Sequence, residues 1–382
     1  MTFSRAERSS FSDWWWTVDR LSVIAVIALI GIGLMLAFAA SPAASAGPLT
    51  EGNFHYAVRQ IAFAAVAVTI LVGASLLTPA QVRLVALLVF FLALIGSAVA
   101  LAVGTETLGA KRWIDLGWFT LQPSEFLKPG FAVLAAMILA EQRTVLPKPV
   151  LTFALLLPAV FVLLFQPDVG QTFLLMALWA AMLFFAGLAL KWIWLIGGGT
   201  LALGTAAFFL FQHVHRRIIQ FFDPEQAAYQ TEKALKAFAH GSWFGVGPGA
   251  GTVKYSLPDV HSDFIFAVAG EEFGLMLCVL IVALFCFLAV RLLLRSARAK
   301  DPFAQLAGAG LSTVVALQAF INMGVAVDLL PAKGMTLPFI SSGGSSLFAV
   351  ALTMGFALAL SRQRPQIERR DEPLFGFLGA RP

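Results

Sequence analysis

Apolar runs of about 20 residues recur from one end of this 382-residue chain to the other, and they confine it to a bundle of membrane-crossing helices. Inside lipid every backbone N–H and C=O must find a partner in the protein, which a long helix does by itself. The runs are continuous rather than alternating, which excludes an outer-membrane barrel. Candidate spans fall at 21–41, 57–77, 83–103, 123–140, 151–166, 172–190, 192–212, 264–290, 304–326 and 344–361. The expected fold class is an all-α polytopic membrane protein of about ten transmembrane helices. Residues 1–20 form a cytoplasmic N-terminal segment, 21–361 the membrane domain, and 362–382 a cytoplasmic tail. Only 12% of residues are charged, where a soluble chain carries roughly 25%, so no separate soluble domain is expected. The division of 151–212 is the softest, since Lys191 alone separates two long runs. The first run is too long for a cleaved signal peptide and is read as retained, with Trp14, Trp15 and Trp16 in an interfacial belt.

Charge orients the bundle. With the N-terminus inside, Arg5, Arg8, Arg20, Arg83, Arg143, Lys148, Lys191, Arg291, Arg295, Arg298, Lys300 and the arginines of the tail are cytoplasmic, and the short outer loops carry few cations. The net charge of +5 is therefore topological and does not imply nucleic acid. Both termini are cytoplasmic, and loops 104–122, 166–171, 213–262 and 327–343 share the outer face. In the long loop 213–262, Asp223, Pro224 and Gln226 predict a helix start and Gly241 its end, giving a mildly amphipathic helix along the membrane surface. The following FGVGPGAG has no strand before it, so it is read as a flexible loop rather than a nucleotide fingerprint. His213 and His215 point different ways and make no metal site, and Cys278 and Cys286, eight residues apart on one helix, are read as packing.

Charged side chains inside spans are costly and usually face the bundle interior. In LPDVHSDFIFAVAGEEFG, Asp263, Ala267, Gly270 and Gly274 share a helical stripe whose small residues admit a neighbouring helix, with Gly270 and Gly274 as a GxxxG pair. Glu271 and Glu272 lie deeper and need partners, and either a structural or a functional role fits them. In LQPSEFLKPG, Gln122, Glu125 and Lys128 share a face. Lys128 has two candidate partners, Asp263 at the same outer depth or the local Glu125. Asp168 and Gln171 of QPDVGQ sit in a tight outer turn, as cap or as site. Lys111, Arg112 and Trp113 of KRWIDLG would suit an anionic headgroup beside a sugar ring, or an ordinary interfacial belt. The loop PAKGMTLPFISSGGSS, with Lys333, Ser341 and Ser345, has the irregular backbone tolerated at a membrane edge only when it lines a cavity or is buried. An outward polar cavity with a carboxylate base admits two classes, an enzyme on a membrane-borne anionic substrate or a transporter. The hydropathy shows no inverted repeat.

Together LPDVHSDFIFAVAGEEFG, LQPSEFLKPG, KRWIDLG, QPDVGQ and LPAKGMTLPFISSGGSS resemble the SEDS family (shape, elongation, division and sporulation) over essentially the whole chain. KGMTLPFIS and GSWFGVGPGAGTVK are more similar to its division member than to its elongation member. The resemblance implies a peptidoglycan glycosyltransferase polymerising lipid II on the outer side of the bacterial inner membrane. It implies Asp263 as the essential carboxylate and Lys128 as the membrane lysine; the expected mechanism makes Asp263 the general base, with Lys128 keeping it ionised. Arg112 and Trp113 match the outer Arg-Trp pair and Asp168 the second acidic position; Lys111, Gln122, Lys333, Ser341 and Ser345 are further substrate contacts. Ser342 departs from the usual tyrosine, Ser262 from threonine and Phe273 from leucine. The sequence identifies no certain cofactor; a divalent cation, Mg or Mn, could bridge the pyrophosphate without a dedicated metal cage. The implied partners are a class B penicillin-binding transpeptidase and other division proteins. A lipid II flippase is the competing reading, but the polar residues concentrate on the outer side, where an enzyme needs them.

Overall fold

A computed structural model describes residues 10–44, 54–107, 110–117, 119–187, 224–257, 259–330 and 334–362, together with scattered positions between 191 and 209. Helices α1 (Ser10–Thr17), α2 (Arg20–Ala44), α3 (His55–Leu76) and α4 (Pro79–Val103) are followed by short strands β1 (Thr105–Thr107), β2 (Ala110–Asp115) and β3 (Thr120–Leu121). Then come α5 (Ser124–Ala140), α6 (Lys148–Phe165), α7 (Val169–Phe185), α8 (Pro224–Gly241), α9 (Ile265–Ala297), α10 (Pro302–Ala326) and α11 (Gly344–Ser361). Among the described residues seven helices are long and apolar enough to cross a membrane: α2, α3, α4, α6, α9, α10 and α11. The shorter α5 and α7 match two further spans, and the bundle is a polytopic membrane protein. The span at 192–212 lies largely outside the described residues, as do His213, His215 and the Asp223 cap.

The bundle has a core of buried helices. α5, α10 and α11 expose little on any side, whereas α3, α4 and α6 turn residues such as Val58, Leu92 and Phe161 outward. A full apolar circumference of that kind is what lipid contact permits and water does not. Cys278 packs in the core as expected, but Cys286 faces outward.

Three features depart from the sequence reading. β1, β2 and β3 form a small antiparallel sheet over the C-terminal end of α4, within loop 104–122, where an all-α fold predicts no strands. α9 runs 33 residues, well past the expected end at 290, because its polar last turns are held by ion pairs. Arg291 donates to Asp19 from Nε and Nη2 at 2.6 Å each, and Arg295 adds a contact at 3.3 Å. Burial pushes the Asp19 carboxyl up, but the Arg291 and Ser22 hydrogen bonds and Arg295 outweigh it and hold it below its ordinary value.

The third departure is in α9 itself. Gly274 is not the packing glycine of a GxxxG pair. Its backbone, at φ 77° and ψ −177°, lies where only glycine sits readily, and the helix breaks there. Residues 241–247 lie in the break. Val246 N–H donates to Glu271 O and Gly247 N–H to Glu272 O, each at 3.0 Å. In return Leu275 N–H donates to Ser242 O at 3.0 Å and Met276 N–H to Trp243 O at 3.3 Å. The groups freed by the break are thus satisfied by the inserted loop, which is the condition for irregular backbone at membrane depth. FGVGPGAG is therefore a docked insert rather than a flexible loop.

The two glutamates fasten this insert. Glu271 Oε1 accepts the N–H groups of Thr252 and Val253 at 2.7 Å each, and Oε2 accepts that of Lys254 at 2.8 Å. His240 Nδ1 lies 2.9 Å from Glu271 Oε1. Glu272 pairs with the Lys254 ammonium, both side chains fully buried, and accepts Gly249 N–H at 3.1 Å. Helix α8 docks beside them, with Ala234 and Ala237 buried and the Phe238 ring laid over Gly270.

Candidate functional site

The polar ends of α5, α7, α9, α10 and α11 converge beneath the small sheet. Asp259 has φ 45°, and its carbonyl accepts the N–H groups of Ser262 and Asp263 at 3.0 Å each. That tight turn delivers Asp263 to the mouth of α9, one residue ahead of its cap at Phe264. The position is pinned from other elements. Asn322 Nδ2 donates to Asp263 O at 2.9 Å and to Met335 O at 2.5 Å. Ser341 Oγ donates to Ser262 O, and Ser342 N–H donates to His261 O at 2.9 Å. Gly334 leaves room for the carboxylate, since a Cβ there would stand 3.1 Å from Asp263 Oδ2.

Asp263 titrates far from an ordinary aspartate. Desolvation raises its pKa first and the Asp259 charge raises it further; the Ser262 hydrogen bond and Arg112 oppose them, leaving it at about 7. A carboxylate poised there is a stronger base than a free one and still gives up its proton near neutrality.

Arg112, on β2, donates to Gln166 O at 3.1 Å through Nε and to Pro167 O at 2.5 Å through Nη2. Its Nε lies 3.9 Å from Asp168 Oδ2, and its remaining N–H groups carry no acid partner. Asp168 is both cap and site residue. Its Oδ1 accepts Gln171 N–H at the start of α7 at 3.3 Å, and its Oδ2 accepts Gln122 Nε2 at 3.4 Å. Burial is the chief cause that raises its pKa, with Arg112 opposing. Lys111 and Trp113 flank Arg112 on the same strand, where successive side chains point to opposite faces, so the three expected companions are split. Ser345 Oγ accepts Gln122 N–H and donates to Thr120 O, each at 2.9 Å, tying α11 to the segment before α5. Lys333 lies outside the described residues.

Lys128 does not pair with Asp263. Its ammonium donates to Glu125 Oε2 at 2.6 Å and to Gln318 Oε1 at 3.0 Å, all three groups buried. Gln171 Nε2 donates to the other Glu125 oxygen, and Gln318 Nε2 reaches Thr336 and Ser346 at 3.3–3.4 Å. The three-residue spacing puts Glu125 beside Lys128 on one helix face, and the local partner wins over the distant one. Lys128 is therefore paired with Glu125, the second of its two candidate partners, and not with Asp263. It stands within a polar network that joins α5, α7, α10 and the loop before α11. Gln318 and Asn322, on α10, were missed, because a single amide in an apolar run gives no signal of what it faces.

The residues before α11 also border a cavity of ≈ 210 Å³, lined by Tyr56, Arg59, Phe63, Phe119, Thr120, His261 and Ser342–Gly344. Among the described residues no group of three His, Cys, Asp or Glu converges in a way that could hold a metal ion.

Residues 20–366 match the family of FtsW, RodA and SpoVE, described as cell cycle proteins. A Caulobacter vibrioides protein named "Probable peptidoglycan glycosyltransferase FtsW" is 43% identical over 369 residues, covering 95% of this chain and 94% of its own. One of the same name from Alkalilimnicola ehrlichii is 38% identical, covering 93% and 94%. A chain from a solved peptidoglycan synthase complex that coordinates polymerization and crosslinking superposes with a TM-score of 0.75 at 26% identity, covering 90% of this chain and 97% of its own. The rod shape determining protein RodA of Thermus thermophilus, at 24% identity, shares the fold with a TM-score of 0.68, covering 92% and 99%. With the family match spanning residues 20–366 and a relative of that name 43% identical over nearly the whole chain, the chain belongs to the FtsW/RodA/SpoVE family of cell cycle proteins.

Proposed function

We propose that this protein is a division-type peptidoglycan glycosyltransferase that polymerises lipid II into glycan strands at the outer face of the bacterial inner membrane. The observation that carries the reading is Asp263, a carboxylate with a pKa near 7 held at the mouth of α9 by Asn322 and the 341–342 backbone, with Arg112 in electrostatic reach. Asp263 takes the proton from the 4-hydroxyl of the acceptor sugar. The acceptor oxygen attacks the anomeric carbon of the donor from the face opposite the pyrophosphate, which leaves with the bond electrons, so the configuration inverts. Arg112, whose backbone anchors leave N–H groups free, faces the charge that grows on the leaving pyrophosphate. A pyrophosphate needs less protonation on departure than a sugar alkoxide, so one carboxylate suffices where glycosidases use two. Glu125, Lys128, Gln171 and Gln318 fix the relative placement of the helices that carry these groups. The described carboxylates do not build a cage for a divalent cation, so any Mg or Mn would rest mainly on the pyrophosphate itself. A class B penicillin-binding transpeptidase and other division proteins are the expected partners, in keeping with the solved synthase complex that this chain resembles.

The test is polymerisation of labelled lipid II by the purified protein with its transpeptidase, beside Asp263→Ala. Strands from the wild type and none from the folded variant are expected. Equal strands from both would remove Asp263 from the chemistry. Lipid crossing proteoliposome bilayers with no strands formed would indicate a flippase.

A further inference from the structure

The hydrogen bond from Asn322 to Asp263 belongs to a larger arrangement on α10. Gln318 and Asn322 lie four residues apart on that helix, so their carboxamides share a face. Both side chains are buried, and both donate to the irregular segment beside the base. Asn322 Nδ2 spans the carbonyls of Asp263, at 2.9 Å, and Met335, at 2.5 Å. Gln318 Nε2 reaches the carbonyl and the hydroxyl of Thr336 at 3.3 Å each. The carbonyls of two consecutive residues are thus taken by side chains one helical turn apart. A single contact would leave the segment free to pivot, whereas two fix both its place and its direction along α10. Gly334 adjoins this held stretch, and the Asp263 carboxylate lies against it, with Oδ2 3.1 Å from where a Cβ would stand.

Asn322 has one orientation. Its N–H groups meet two carbonyls, and its Oδ1 is buried without a donor. Exchanging nitrogen and oxygen would set an acceptor against both carbonyls. Gln318 is held from its other side. Its Oε1 accepts Lys128 Nζ at 3.0 Å, and the same ammonium pairs with Glu125 at 2.6 Å. The charges that shift Asp263 are those of Asp259 and Arg112. What links Lys128 to Asp263 is instead a run of hydrogen bonds. It passes from the ammonium to Gln318, from Gln318 to Thr336, and through the peptide between Met335 and Thr336 to Asn322 and the Asp263 carbonyl.

Building on the assignment of Asp263 as the base, we infer that Gln318 and Asn322 are positioning residues for it, and that Lys128 acts on the base by holding Gln318 rather than by its charge. The two amides set how the Asp263 carboxylate stands against the 334–336 segment and keep it out of water. The buried Lys128–Glu125 pair anchors that setting to α5.

The experiment reads Asp263 directly and requires no turnover. Infrared difference spectra of the detergent-purified full chain are taken for wild type, Asn322→Ala and Gln318→Leu, each against its own Asp263→Asn counterpart. They give the pH at which the Asp263 carboxyl gains its proton. Thermal midpoints, and polymerisation of lipid II with the transpeptidase, are measured on the same proteins. Desolvation is the first cause of the raised Asp263 pKa, so a carboxylate released toward water should protonate at lower pH, by about one unit for Asn322→Ala. Gln318→Leu should move it in the same direction, although Gln318 bonds to Lys128, Thr336 and Ser346 and, among the described residues, to nothing in 259–264. Lys128→Met with Glu125→Gln, which strands no charge, should act as Gln318→Leu does and add nothing to it when the two are combined. In each variant kcat should fall about tenfold with KM unchanged, since displacing a base costs rate rather than binding. A purely structural role would lower the thermal midpoint and leave the protonation of Asp263 in the folded protein where it is. Gln318→Leu keeps the test decisive should Asn322→Ala fail to fold. Folded variants in which Asp263 protonates at the wild-type pH would overturn the inference. If the protonation moves as expected while Asp263→Asn still polymerises lipid II, the two amides hold Asp263 as inferred and its assignment as the base falls.

Discussion

Lys254→Met isolates the fastening of the inserted loop. The Lys254 and Glu272 side chains expose no surface, and the ammonium also donates to Ala39 O at 2.8 Å. Methionine keeps much of the length of the stem and removes the charge. What remains is a buried Glu272 carboxylate held only by Gly249 N–H at 3.1 Å. Removing one member of a buried ion pair costs about 3–5 kcal/mol, because the survivor stays desolvated without compensation. The orphaned Ala39 carbonyl belongs to the same loss and is not added separately. A protein of 150–250 residues loses roughly 2–4 °C of melting temperature per kcal/mol. Taking about 2 °C for this longer chain, the variant should melt roughly 6–10 °C below wild type in the same detergent. Lys254→Met combined with Glu272→Gln should recover at least half of that, since no unpaired charge remains. The assay is the thermal midpoint of the four proteins of the cycle. A Lys254→Met protein within about 1 °C of wild type, or a double variant that loses the sum of the two single losses, would refute the reasoning.

The pH profile of polymerisation should show a rising limb at about 7, since Asp263 is protonated and unable to accept a proton below that value and competent above it. Asp259→Asn, which removes a charge that raises this pKa, should move the limb to lower pH; a limb that stays in place would count against Asp263 as the base. Lys128→Met should lower stability by about 3–5 kcal/mol because it strands buried Glu125, and Lys128→Met with Glu125→Gln should be less destabilised than Lys128→Met alone, read as melting temperatures. Gly245→Ala places a Cβ 2.2 Å from Glu272 O at a backbone φ of 80°, so it should undock the loop and abolish strand synthesis, checked by protease sensitivity of residues 241–254 and by product length.

Much of the bundle was legible because a span announces itself over about 20 residues, and nine of the proposed spans coincide with described helices. The position of Asp263 was legible too, at the mouth of an apolar run beside loops that had to be buried or to line a cavity. The break at Gly274 was not. Glycines four apart signal close helix packing, and nothing local says that a preceding loop supplies the hydrogen bonds that make a break tolerable. Glu271 and Glu272 were ambiguous for the same reason, since their partners are backbone N–H groups and one lysine in that loop. The sheet was invisible because its strands are two to six residues long. Lys128 shows the limit of reasoning from depth: two acids were within reach by position, and the nearer one on the same face prevailed.

The insertion at Gly274 also bears on how the molecule is put together. The stretch that carries Asp263 down to the break, residues 264–273, is shorter than the length at which a helix holds itself together, and its last carbonyls are met only by the loop. Asp263 is therefore held from two sides, by Asn322 and residues 341–342 at the mouth of α9 and by residues 241–247 docked in the break below. A loop from one part of the chain thus completes the helix that presents the carboxylate, so a change in residues 241–254 is transmitted to Asp263 through backbone hydrogen bonds rather than through side-chain contact.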